Sequence, residues 1–344
     1  MIYLIHPGKQ QYKANLHCHS TLSDGNKTPE ELKEMYKAHG YGILAITDHE
    51  RPAEHQSLAD DDFIMITGYE NYIRPNPEGK YNAYAKEVHL NLFARNPENV
   101  KLICYNECYA RYAKRDGALD TLVRVGSERP REFTREYINE FIRTAKEHGY
   151  LVAYNHPYWS MEDEKDILSY DGIFSLEIYN YSSYLVNYLE NSTPLYDKML
   201  LAGKRVFCHA ADDNHNRYPE GSTECDSFGA FTMIMPKEFT YASVIDAMDA
   251  GEMYASMGPT IKEISVEGDR LHIECSDVSH IFAYFGSKKP GFVHAAEGEV
   301  LTSADIKIDA RARYVRVGIL DQAGRWANTR GYFRDEIGFP PLED

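Results

Sequence analysis

Histidine, aspartate and glutamate recur in this chain at the ends of short apolar runs. The stretch NLHCHSTLSDG (15–25) carries His17 and His19 two residues apart, and Asp24 follows five residues later. Side chains at i and i+2 of a strand share one face, so both imidazoles can reach one ion while Cys18 points away. Asp48 and His49 end the run 41–49, Glu70 ends 63–71, and His156 ends 150–157. His89 stands at the start of the run 88–94, and Asp213 and His215 lie at or just past the end of 205–213. Neutral imidazole and carboxylate suit borderline divalent metals such as zinc, manganese and iron. A carboxylate such as Glu70 can bridge two ions, and ions about 4 Å apart clamp the attacking and leaving oxygens of a phosphoryl transfer.

The elements that must position these residues follow from the patterning. The runs are continuous rather than alternating, as strands buried on both faces are. Helix-like segments separate them. Thr28-Pro29-Glu30-Glu31 opens one, with Thr as N-cap and Pro in the first turn; another spans Thr134 to His148 and stops at Gly149. Strand–helix alternation predicts a parallel sheet, here a closed barrel, whose C-terminal strand ends meet on one face. Residues spread over most of the first 215 positions would then converge on one mouth. Residues 73–86 read as a loop, and 95–133 as a long, partly helical insertion. Beyond residue 257 the pattern turns to apolar–polar alternation with tight turns, which predicts a small antiparallel, sandwich-like β-domain over 258–344.

In order, His17-Cys18-His19, Ser23-Asp24-Gly25, Ile46-Thr47-Asp48-His49, Gly68-Tyr69-Glu70, Asn155-His156-Pro157 and Asp213-Asn214-His215 resemble the motifs of the PHP (polymerase and histidinol phosphatase) superfamily over about residues 12–255. The resemblance implies a distorted (β/α)7 TIM-like barrel (α/β class) over 1–257. It also implies a metal-dependent phosphoesterase with three divalent ions (zinc, manganese and/or iron). By position, His17, His19, Glu70 and Asp213 would hold the first ion. Glu70, His89 and His156 would hold the second, and Asp24, His49 and His215 the third. Glu70, Asp213 and His215 would be catalytic. The DxH spacing favours Asp213 over its neighbour Asp212 as ligand. The implied reaction is hydrolysis of a phosphate monoester or short nucleotide phosphoester by a hydroxide bridging the metals.

Composition narrows the substrate. The net charge is −16 and the pI about 5.3. Such a surface gains no counterion release from long nucleic acid and is repelled by anionic membrane. The expected partner is therefore a small phosphorylated molecule: a nucleotide, histidinol phosphate or a short oligonucleotide end. Arg51 and Arg217, each two residues past a ligand, are candidate phosphate-binding cations. Lys80, Arg111 and Arg115 on the insertions are weaker ones. Asp48 and His209 are read as supporting the ligands from behind. The six cysteines lack the spacing of a disulfide framework, and no apolar run is long enough to span a bilayer, so a cytoplasmic location is expected. Two rival readings share the early HxH. One is an amidohydrolase-like barrel cleaving C–N bonds. The other is a non-catalytic metal-binding scaffold.

Overall fold

The computed structural model describes residues 1–76 and 78–342. The fold is mixed α/β. Strands Tyr12–Asn15, Ile43–Ile46 and Ile64–Ile73 pair in parallel, and so do Tyr150–Tyr154, Ser175–Asn180 and Phe207–Ala211. Between the two sets lies Val88–Ala94, antiparallel to both neighbours. Every residue of Ile43–Ile46, Ile64–Ile73, Val88–Ala94, Tyr150–Tyr154 and Ser175–Asn180 is buried, which is why their sequences run apolar without alternation.

The all-parallel expectation therefore needs correcting, and the correction matters for the site. Tyr72 pairs with His89, and Leu90 with Tyr154. Because Val88–Ala94 runs backwards, its beginning lies beside the ends of its neighbours. His89 thus belongs at the same rim as Glu70 and His156, although it starts its strand rather than ending it.

Among the described residues, no continuous ladder of strands closes a barrel. Tyr12–Asn15 has Ile43–Ile46 on one edge and Phe231–Ile234, antiparallel, on the other. Both its edges are taken, so Phe207–Ala211 cannot join it there. The two ends meet at Asn15, whose side chain accepts the Asp212 N–H (3.0 Å) and donates to Asn214 Oδ1 (3.1 Å), and beyond it. There Cys18 bridges Asn214, the Asp213 N–H donates to the His17 carbonyl (2.9 Å) and the His19 N–H to that of Asn214 (3.0 Å). Side chains Ala14, Leu16, Ile43, Ala45, Ile66, Phe93, Ala153 and Ala211 meet in one buried cluster, so the sheet curls around a common core.

The helices follow their end signals. Pro29–Ala38 carries a capping box: the Glu31 N–H donates to Thr28 Oγ1 (3.3 Å) and the Thr28 N–H to Glu31 Oε2 (2.9 Å). Arg135–Glu147 is capped by Thr134 and buries Tyr137, Ile138, Phe141, Ile142 and Ala145, a stripe at helical spacing. The insertion 95–133 holds a short helix, Arg111–Arg115, and a two-residue strand pair.

Beyond residue 258 the strands are antiparallel. Ile261–Glu267, Arg270–Val278 and Leu301–Lys307 form a sheet whose fourth strand is the N-terminal Ile2–Ile5. Met253–Ser256 pairs with Trp326–Thr329, so main-chain pairing also crosses residue 257.

Candidate metal centre

The nine residues expected to ligate metal come together. They form four overlapping groups: His17, His19 and Asp213; His17, Glu70 and His156; His49, Glu70 and His89; and His19, Asp24, His49 and His215. Glu70, only 1% exposed, is their hub. Its Oε1 lies 2.9 Å from His89 Nδ1 and 3.3 Å from both His17 Nε2 and His156 Nε2. Its Oε2 lies 2.9 Å from His49 Nδ1 and 3.5 Å from His19 Nε2. Asp213 Oδ1 sits 3.2 Å from His17 Nε2 and 3.0 Å from His19 Nε2, and its Oδ2 is 3.9 Å from His156 Nε2.

Asp24 tests whether a metal fits. Its Oδ1 is buried without a hydrogen-bond partner, yet three imidazole nitrogens surround it: His215 Nε2 at 3.6 Å, and His19 Nδ1 and His49 Nε2 at 3.8 Å each. Donors on one tetrahedral ion with bonds of about 2.1 Å sit ~3.4 Å from one another. The gaps around Asp24 are too long for hydrogen bonds and close to that ligand spacing. His89 Nε2 is likewise buried without a hydrogen bond, with Glu87 Oε2 3.6 Å away. The donor set of imidazole and carboxylate, with no thiolate, suits zinc, manganese or iron.

The electrostatics fit the same picture. Burial pulls the His17 imidazole down, but Asp213, Glu70 and Glu177 outweigh it and hold it well above its ordinary value. His89 is likewise opposed by burial and carried by Glu70 and Glu87 to about 9. Burial pushes the Glu70 carboxyl up, and His17, His89 and His49 pull it well below the carboxylate range. Asp24, against burial, is drawn to about 2 by His49, His19 and His215. A divalent cation can supply the positive charge that these buried carboxylates call for.

Local structure explains how the loops hold their ligands. In the turn carrying Asp24, the Ser23 and Gly25 N–H groups both donate to the Ser20 carbonyl (3.1 and 2.9 Å). A Cβ on Gly25 would stand 2.1 Å from the His19 carbonyl oxygen, so only glycine allows that approach. Asp48 holds the turn between His19 and Asp24: it accepts from the Ser20 N–H (2.8 Å), the Ser20 hydroxyl (2.6 Å) and the Ser23 hydroxyl. Asp212 turns away from the site. It accepts the Tyr36 hydroxyl (2.7 Å) and the N–H groups of Phe228 (2.7 Å), Gly229 and Ala230 (2.9 Å each), so it organises the following loop.

The insertion 95–133 reaches the mouth. Arg115 donates to the carbonyls of Thr21 (2.8 Å), Leu22 (2.9 Å) and Ser23 (3.1 Å), clamping the Asp24 turn. Arg131, buried, forks onto Glu50, the residue after His49, at 2.5 and 2.8 Å. Arg51 is engaged by Asp116 of the insertion (2.8 Å) and the Pro52 carbonyl (2.7 Å). Arg217 is exposed in the loop after His215, Arg111 donates to the Tyr112 hydroxyl, and Lys80 pairs with Glu78.

Residues missed from the sequence also contact the ligands. Glu177 accepts at His17 Nδ1 (3.0 Å), and a lone acid inside the apolar run 172–180 was its one available signal. Trp159 lies 5.1 Å from the His156 ring and 5.3 Å from that of His89. His209, expected from the sequence to support the ligands, bonds Ser175 Oγ through Nδ1 (2.7 Å), and its Nε2 stands 4.0 Å from Glu177.

No family model matches the chain. It is 43% identical over 72 residues to a 5'-3' exoribonuclease of Haemophilus influenzae, which amounts to 20% of this chain and 26% of that protein. The chain thus matches about a quarter of the length of that curated relative. Among solved structures, it is similar to a two-domain protein from Bacteroides vulgatus described as containing a predicted PHP-like metal-dependent phosphoesterase. That similarity has 13% identity and a TM-score of 0.46 over 96% of this chain and 90% of the other. It is also similar to an amidohydrolase from Chromobacterium violaceum, at 15% identity and a TM-score of 0.37, over 59% of this chain and 87% of that one. In the order of its motifs, and in the metal-capable groups those motifs converge into, the chain resembles the PHP superfamily.

Proposed function

We propose that this chain is a metal-dependent phosphoesterase of the PHP type, acting on a small phosphate monoester or on a short nucleotide phosphoester. The observation that carries the reading is the convergence of nine imidazole and carboxylate side chains from six separate segments around Glu70. We assign His17, His19, Glu70 and Asp213 to a first divalent ion, Glu70, His89 and His156 to a second, and Asp24, His49 and His215 to a third. We read 1–257 as the catalytic, barrel-like unit and 258–344 as an appended β-domain. Six free thiols fit a reducing cytoplasm.

Bound divalent ions would acidify a water and neutralise charge on phosphoryl oxygens. The chain's own residues do the rest. Glu70 offers one oxygen to His17, His89 and His156 and the other to His19 and His49, which places it to join neighbouring ions. Asp213 Oδ1 meets the same Nε2 atoms of His17 and His19 that Glu70 does, at 3.2 and 3.0 Å. Trp159 packs edge-on to the His156 ring at 5.1 Å, and Tyr112 lies 6.5 Å from His49 and 15° off parallel to it, so two aromatic rings border the imidazoles. No seryl or cysteinyl nucleophile is needed. The exoribonuclease name of the H. influenzae relative supports a nucleotide or a short oligonucleotide end as substrate, and the acidic surface disfavours long nucleic acid.

The test is phosphate release by manganese- or zinc-loaded protein from nucleoside monophosphates, nucleoside bisphosphates, histidinol phosphate and a 5'-phosphorylated dinucleotide. Turnover of a member, lost in Asp213→Ala, supports the reading. Silence across the panel with metal bound would overturn it and favour C–N hydrolysis or a binding role.

A further inference from the structure

Glu177 lies at the middle of the buried strand Ser175–Asn180 and is fully buried. Its two oxygens serve different ligands. Oε1 faces His17 Nδ1 at 3.0 Å. Oε2 accepts the backbone N–H of His156 (2.9 Å) and the side-chain amide of Asn180 (2.9 Å). That same amide also reaches Asp213 Oδ2 at 3.1 Å. One carboxylate therefore contacts His17 and His156 directly and Asp213 through Asn180.

We infer that Glu177 is the positioning residue that sets the His17 ring in the form able to bind metal and fixes His17, His156 and Asp213 relative to one another. This rests on the metal-centre reading above. The chemistry is that of a histidine pair. A carboxylate at Nδ1 requires N–H there, which leaves the Nε2 lone pair free. His17 Nε2 points into the ligand group, 3.3 Å from Glu70 and 3.2 Å from Asp213.

Glu177→Gln exposes the role because it keeps size and shape. Two donors, the His156 N–H and the Asn180 amide, converge on Oε2, so the glutamine oxygen must sit there. Its NH2 then faces His17 Nδ1, which must accept. The ring proton moves to Nε2, into the metal position. A residue that served only packing would tolerate this exchange.

The experiment is chelator-competition titration of the apo-protein with zinc, for the wild type and Glu177→Gln, with the apo melting curve as a fold control. The expected result is affinity for the tightest zinc weakened about 10–100-fold in the variant, with a cooperative melt retained. Equal zinc affinity in the two proteins would overturn the inference and leave the metal centre standing. Failure of the wild type to bind zinc would instead sink the reading on which it rests. Nitrogen NMR of the zinc-loaded wild type tests the same point without a variant. The His17 ring is expected to be zinc-bound at Nε2 and protonated at Nδ1, and coordination through Nδ1 would overturn the inference.

Discussion

The Arg131–Glu50 pair joins the insertion to the strand end that carries His49, and breaking it should be costly. Glu50, 1% exposed, accepts four donors: both Arg131 terminal nitrogens (2.5 and 2.8 Å), Asn71 Nδ2 (2.7 Å) and the Tyr72 N–H (3.2 Å). Arg131, 2% exposed, also donates to the Tyr72 carbonyl at 2.6 Å. Arg131→Met keeps most of the stem volume. It leaves a buried carboxylate with two of its four donors and no countercharge, and it strips the Tyr72 carbonyl. One-sided removal from a buried pair costs about 3–5 kcal/mol. Replacing both members with neutral groups avoids the bare charge, so Glu50→Gln/Arg131→Met should lose less than Arg131→Met alone. Urea unfolding of the three apo-proteins at neutral pH measures both quantities. A loss under about 1 kcal/mol for Arg131→Met, the level of a solvent-exposed pair, would refute the claim that this contact anchors the insertion.

Other consequences follow from adjacent residues with different tasks. Asp213→Asn should weaken metal binding with little change in apo stability. Asp212→Asn, which turns an amide NH2 toward two of the four donors the aspartate accepts, should destabilise the fold by about 1–3 kcal/mol; reversal of the two outcomes in metal titration and urea unfolding would refute the assignment. His209 is pulled down to about 4 by burial, with Glu177 opposing, so the unfolded chain takes up a proton that the native ring refuses. Its contribution is therefore intact above about pH 6.5 and is lost as pH falls toward 4, at about 1.4 kcal/mol per pH unit. Urea unfolding should show a shallower acid decline in His209→Gln, and an unchanged slope counts against this. Gly25→Ala forces the Asp24 turn off the His19 carbonyl and should lower the number of bound metal ions by one, read by metal analysis after dialysis.

The residues that gather into the candidate centre were legible because residue type and position at strand ends coincide. His17, His19, Asp24, His49, Glu70, His89, His156, Asp213 and His215 all reach the four groups. Strand direction was not legible. Val88–Ala94 is buried on both faces, so its apolar run is the same whichever way it points, and only pairing shows it antiparallel. The incomplete barrel had the same cause: nothing in FTMI announces that Phe231–Ile234 takes the free edge of Tyr12–Asn15. Arg51 looked like a free cation beside a ligand because its partner, Asp116, is 65 positions away on the insertion. Glu177 was passed over because a strand-interior acid carries no motif, although an uncompensated carboxylate cannot be buried cheaply and so requires a partner.

The most direct test of the central claim is to titrate the apo-protein with manganese or zinc while following bound metal and turnover of the substrate found by the panel. The account predicts three ions bound per chain and turnover that rises as the sites fill, with both curtailed in Glu70→Gln. Turnover that persists in the metal-free protein, or a Glu70→Gln variant that binds metal and turns over like the wild type, would contradict it.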